Sequence, residues 1–135
     1  MKAMQTYLTF NGNCREAMNF YADALDADLH LMEGEDAPGA PADFADRIMH
    51  ARLHKGSAVL MASDSMVASP VTVGNNFSVS IDCEDNAEQD RYFAALGVGG
   101  KVTMPLADMF WGARFGMLTD KFGVNWMFNC ELKQS

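Results

Sequence analysis

MQTYLTFNGNCREAMNFYADAL, residues 4–25, decides the fold, because its periodicity changes partway along. Its first seven residues alternate and are rich in β-formers, so residues 4–10 are expected as a strand. After the turn NGN, Ala17, Phe20, Tyr21, Ala24 and Leu25 recur at i, i+3, i+4, i+7 and i+8. That spacing is one face of an amphipathic helix over residues 14–25. Asn13, with Glu16 three residues on, suits the cap of its free N–H groups.

Beyond this unit a short strand is expected over residues 28–32. EGEDAPGAPADFADR is acidic and broken by Pro38, Gly39 and Pro41, so residues 33–46 read as a mobile loop with one helical turn after Pro41. RIMHARLHKGSAVLMAS is a hairpin of strands 47–54 and 57–62, turning at Lys55-Gly56. The first half is therefore β-α-β-β-β.

A polar connector, DSMVASPVTVGNN, leads to the strand NFSVSID and to a helix with Asp85 as N-cap, Glu88 at its third position and Gly97 as its stop. GKVTMPL gives a short strand. Strands 112–119 and 124–130 then flank DKFG, where Gly123 can take a positive φ. The β-α-β-β-β order repeats, and a shift of 71 residues superposes Tyr21, Ala24 and Leu25 on Tyr92, Ala95 and Leu96. Such self-similarity indicates a duplicated unit whose halves pack together. The expectation is one α+β domain over 1–135, with module one about 1–64, a connector about 65–74 and module two about 75–135.

The formal charge of −8 at 135 residues repels phosphate backbones and anionic lipid, so neither nucleic acid nor membrane is an expected partner. The N-terminus lacks the apolar core of a secretion signal, and no apolar run approaches the roughly 18 residues of a spanning helix. Cys14, Cys83 and Cys130 are odd in number and dispersed, which suits reduced thiols in the cytoplasm, packed as small buried side chains.

Paired β-α-β-β-β modules resemble the vicinal-oxygen-chelate superfamily of glyoxalases, extradiol dioxygenases and fosfomycin and bleomycin resistance proteins. Within it, YLTFNGNCREAMNFY, IMHARLHKGSAVLMASD and FWGARFGMLTDKFGVNWMFN are similar to the PhnB-like subfamily, some of whose members carry a demethylubiquinone methyltransferase label. No strand here runs into a glycine-rich loop opening a helix that would hold S-adenosylmethionine. The resemblance implies a glyoxalase/bleomycin resistance-like fold in which curved sheets form a cleft. It also implies a divalent metal on four strand positions, which polarises vicinal substrate oxygens. Those positions fall on Gln5 (or Thr6), Met61, Asn76 and Met127. Two of the four are thioethers, poor ligands for hard ions, so no metal and no cofactor is expected.

Strand parity sorts the other cleft candidates. If Phe77, Val79 and Ile81 face the helices, Asn76, Ser78 and Ser80 face the cleft. If Met49, Ala51 and Leu53 face the helices, His50, Arg52 and His54 point away. Val59, Met61 and Ser63 share a face, as do Asn125, Met127 and Asn129, with Trp126 and Phe128 packed behind. The expected ligand-binding set is Gln5, Tyr7, Arg52, Met61, Asn76, Ser78, Trp111, Met127 and Asn129. His50, His54 and Asp108 are the acid–base candidates, although a structural histidine and a turn-capping Asp are the alternatives. His50 and His54 lie about 13 Å apart along a strand and cannot chelate one ion by themselves. His30 receives no role.

Three functions remain open. One is a metal-free small-molecule binder, expected as a homodimer. Another is a lyase, isomerase or dioxygenase whose metal is held by atypical ligands such as His50, Gln5 or Asn129. The third is a protein-interaction module using an acidic surface and some of the eleven methionines.

Overall fold

The structure, a computed structural model, describes residues 1–132. The chain divides into two compact units, Met1–Thr72 and Val73–Ser135, with the boundary inside the expected connector. Unit one contains β1 (Thr6–Phe10), α1 (Cys14–Leu25), β2 (Asp28–Glu33), β3 (Ile48–Lys55) and β4 (Ala58–Asp64). Unit two contains β5 (Val79–Asp82), α2 (Asn86–Leu96), β6 (Lys101–Asp108), β7 (Ala113–Thr119) and β8 (Asn125–Glu131). Strand orders are β1-β4-β3-β2 and β5-β8-β7-β6. In each sheet the first strand runs parallel to the last, and the remaining pairs are antiparallel. The class is α+β, and both units adopt the β-α-β-β-β order.

Helix α1 has the expected bounds, but its buried stripe is rotated. Cys14, Ala17, Met18, Tyr21, Ala22 and Leu25 are buried, whereas Phe20 and Ala24 are only half-buried. The small side chains Ala51 and Ala62, paired across β3 and β4, lie buried in the sheet. The expected cap fails at Asn13, whose side chain makes no capping bond. A distant carboxylate replaces it. Phe10 is opposite Asp64 in the parallel pair, which carries Asp64 to the β1–α1 loop. Asp64 Oδ1 accepts from the backbone N–H of Gly12 at 2.9 Å and Cys14 at 3.0 Å, while Oδ2 accepts from Ile48 N–H at 2.8 Å. One buried side chain thus starts the helix and anchors β3.

The loop of residues 33–46 holds two short 3-10 turns, Gly34–Asp36 and Ala42–Phe44, instead of one. Phe44 is buried, and Gly34 N–H donates to Arg47 O at 2.7 Å. Any β-carbon at Gly34 would collide with the Phe44 backbone. The hairpin turns at Gly56-Ser57, one residue later than expected, with Gly56 at φ +59°.

In unit two the cap forms as expected. Asp85 Oδ1 accepts from Glu88 N–H at 2.8 Å, and Glu88 Oε1 accepts from Glu84 N–H at 3.2 Å. Phe93 of α2 meets Phe128 edge-on, with centroids 5.2 Å apart. Gly116 lies opposite Phe128, and a β-carbon there would stand 3.1 Å from the Phe93 ring. The β7–β8 turn is built on buried Asp120. Its Oδ1 accepts from the N–H of Phe122 at 2.8 Å and Val124 at 3.0 Å, and its Oδ2 from Trp126 Nε1 at 2.8 Å. Gly123 takes φ +86°, as the turn requires. Edge strand β6 is exposed along most of its length and shifts register twice against β7.

Leaving buried donors without an acceptor is costly, so Asp120→Ala is expected to destabilise by about 2–4 kcal/mol in urea unfolding. Asp23→Ala, on the exposed face of α1, is expected to stay within about 0.5 kcal/mol. Burial, then the Asp64 charge, pushes the Cys14 thiol from 9.0 up to about 12. The folded state therefore holds its proton more tightly than the unfolded chain. That stabilisation is complete below pH 9.0 and is lost as pH rises toward 12. Unfolding curves of wild type and Cys14→Ala should differ in slope against pH within this window, with the variant the flatter.

Candidate functional site

Each sheet buries alternate residues beneath its helix and turns the others to the opposite face. In β4, Leu60, Ala62 and Asp64 are buried, so Val59, Met61 and Ser63 occupy the helix-free face. In β3, Ala51 and Leu53 are buried, and His50, Arg52 and His54 point away. A bulge opposite Met32/Glu33 breaks this alternation, so Ile48 is buried where Met49 was expected, and Met49 is half-buried.

Register places Tyr7, Met61, Arg52 and His30 in one row across β1, β4, β3 and β2. Tyr7 Oη lies 3.1 Å from His50 Nδ1, with rings tilted at 5.8 Å. That contact holds an imidazole against a phenol beside the Met61 thioether. The Arg52 side chain is exposed and has no hydrogen-bond or ion-pair partner among the described residues. His54 Nε2 lies 3.4 Å from His30 Nε2, the rings parallel, with Asp28 Oδ2 at 4.0 Å. The two acid–base candidates of β3 thus have separate partners. Sequence reasoning left His30 aside because β2 looked peripheral. The alternation Asp28, His30, Met32 becomes informative only once β2 is paired with β3. Gln5 stands just outside β1 and is exposed.

Unit two obeys the same parity on β8. Trp126, Phe128 and Cys130 are buried, and Asn125, Met127 and Asn129 take the helix-free face. Ser80 and Met117 flank Met127 in register. Thr119 Oγ1 and Asn125 Oδ1 are 2.6 Å apart, and Asn129 Nδ2 reaches Asp82 Oδ1 at 3.4 Å. Trp111 is 52 % exposed and meets the Phe115 ring edge-on at 5.6 Å. Phe110, beside it, is 98 % exposed. Asn76 and Ser78 precede β5, which begins only at Val79. Phe77 accordingly faces solvent and not the helix, and its carbonyl accepts from Asn125 Nδ2 at 3.3 Å. Asp108 ends β6 opposite Arg114, whose guanidinium pairs with Asp90 at 2.8 Å.

The residues present do not fit a divalent ion of the usual kind. Among the described residues no three His, Cys, Asp or Glu side chains converge to hold one, and Met61 and Met127 present soft sulfur. S-adenosylmethionine fits no better. The single glycine of the β1–α1 loop, Gly12, already gives its N–H to Asp64, and the β5–α2 loop is Cys83-Glu84-Asp85, without glycine.

Residues 2–128 match the model of the 3-demethylubiquinone-9 3-methyltransferase family. The chain belongs to this family. A Bacillus cereus PhnB protein labelled as such a methyltransferase has a solved structure 30 % identical, with TM-score 0.76, covering 96 % of this chain and 99 % of its own. PA1353 from Pseudomonas aeruginosa is 48 % identical at TM-score 0.86, with coverage of 97 % and 100 %. A glyoxylase/bleomycin resistance protein/dioxygenase domain from Frankia superposes at TM-score 0.72 with 11 % identity, covering 100 % of this chain and 95 % of its own. That likeness shows the fold. PhnB-like membership and the glyoxalase/bleomycin resistance-like fold thus agree with the resemblance read from the three motifs. No helix of the described residues is long and apolar enough to cross a membrane.

Of the two tryptophans, Trp126 is 1 % exposed and Trp111 is 52 % exposed. Acrylamide should quench two separate populations, and Trp111→Phe should remove the accessible one. A ligand seated on this face of unit two should shield Trp111 and leave the Trp126 signal unchanged.

Proposed function

We propose that the protein binds a small, partly apolar organic anion, with Arg52 as its charge anchor. The supporting observation is the unpartnered Arg52 guanidinium, in register with Met61 and near the Tyr7–His50 pair. On a chain of net charge −8, a free guanidinium on an interior strand gives bidentate recognition of a carboxylate a defined place. Met61 supplies a deformable apolar contact, and the Tyr7 hydroxyl with His50 supplies donors and acceptors. In unit two, Trp111, Met127 and Asn129 offer the corresponding mixture of ring, thioether and amide. Asn76, Ser78 and Gln5 belong to this reading as flanking polar contacts. The two units act as one domain, and the protein works as a cytoplasmic homodimer without a resident metal. Methyl transfer is not part of this reading, because neither βα loop suits the cofactor.

A thermal-shift screen of small carboxylates and phosphates should raise the melting temperature of the wild type. Arg52→Ala should weaken the best binder by about tenfold or more, the worth of a charge-assisted hydrogen bond, without lowering the apo melting temperature. Equal affinity in Arg52→Ala would remove the anchor. A stoichiometric divalent ion in natively purified protein would favour the metal-dependent alternative.

A further inference from the structure

Two buried thiols stand side by side in unit two. In the parallel pair, Ile81 is opposite Phe128 and Asp82 opposite Asn129. The last bond of this ladder, Cys83 N–H to Asn129 O at 2.7 Å, belongs to the Asp82–Asn129 pair. It brings Cys83 alongside Cys130, the next residue of each strand, close enough for the two to interact electrostatically. Alternation puts both side chains on the α2 side: Cys83 follows Val79 and Ile81, and Cys130 follows Trp126 and Phe128. They are 7 % and 2 % exposed. Adjacent strands lie about 4.8 Å apart, inside the roughly 4.4–6.8 Å Cα separation that a disulfide spans. Each cysteine also lines a surface depression. One, of 210 Å³, is lined by Cys130 with Glu84, Asp85 and Glu131; the other, of 230 Å³, by Cys83 with Asp82, Glu84 and Glu131.

We propose that Cys83 and Cys130 form an oxidative modification site, in which a neutral hydroperoxide entering through these depressions links them as an intramolecular disulfide. One thiolate attacks the peroxide oxygen, the O–O bond breaks, and an alcohol or water departs, leaving a sulfenic acid. The second thiol attacks that sulfur, the S–S bond forms, and the hydroxyl leaves as water with the second thiol's proton. Two thiols are oxidised by two electrons and one peroxide is reduced. The carboxylate rim selects the reagent, because it repels anionic oxidants such as glutathione disulfide and admits uncharged ones. Burial, then the Glu88 charge, pushes the Cys83 thiol up to about 12, so the reaction is slow at neutral pH and accelerates with alkali.

The test treats reduced, folded protein with hydrogen peroxide, alkylates the remaining thiols and maps disulfide-linked peptides by mass spectrometry. A Cys83–Cys130 link is expected, forming several-fold faster at pH 9 than at pH 7. A neutral aromatic disulfide should produce the same link faster than glutathione disulfide. Cys83→Ser and Cys130→Ser should each abolish it, and Cys14→Ser should not; the wild-type map decides the pairing if that variant fails to fold. Sulfinic or sulfonic acids without a link, a link to Cys14, or links only between copies would each overturn the proposal.

Discussion

A carboxylate buried among peptide N–H groups has to be satisfied where it stands, and that constraint organises the first unit. Asp64 closes β4, yet its acceptors serve the start of α1 and the start of β3. Three segments far apart in sequence therefore share one side chain. The parallel β1–β4 pair brings Asp64 to this position, and Asp64 in turn fixes how the chain leaves β1. The helix-free face inherits its order from the same junction, since Tyr7 and Met61 belong to that pair.

The second unit repeats the topology with different chemistry. Asp85 caps α2 locally, and the last buried residue of β8 is Cys130, where β4 ends on buried Asp64. Its buried aspartate sits instead in the β7–β8 turn, joined to the indole of Trp126. Met18 and Gln89, 71 residues apart, are both fully buried on their helices. The Gln89 amide donates to Arg114 O and Phe128 O, bridging β7 and β8, where Met18 offers only a soft contact. Duplicated architecture has left room for different interactions at corresponding positions.

Local patterns were readable because their causes are local. The bounds of α1, the Asp85 cap, the Gly123 turn and the parity of β4, β8 and residues 50–54 of β3 all follow from neighbours within a few residues. What escaped sequence reasoning depends on pairing. Asn13 looks like a cap until the parallel register delivers Asp64, and Phe20 looks buried until the sheet beneath α1 selects Met18 and Ala22. His30 acquires meaning only from His54 across the β2–β3 ladder. The Tyr7–His50 contact joins side chains 43 residues apart, which no spacing rule announces.

Strand β6 has a consequence for how this molecule survives at high concentration. It is an edge, exposed along most of its length, and a regular strand there would offer a row of backbone donors and acceptors to any other chain. Pro105 removes one donor from that row, and the two register shifts bend the strand out of a straight pairing line. Lys101 and Asp108 place charges at its ends. The border of the second sheet is thereby a poor template for strand addition, which protects a β-rich protein from growing into fibrils.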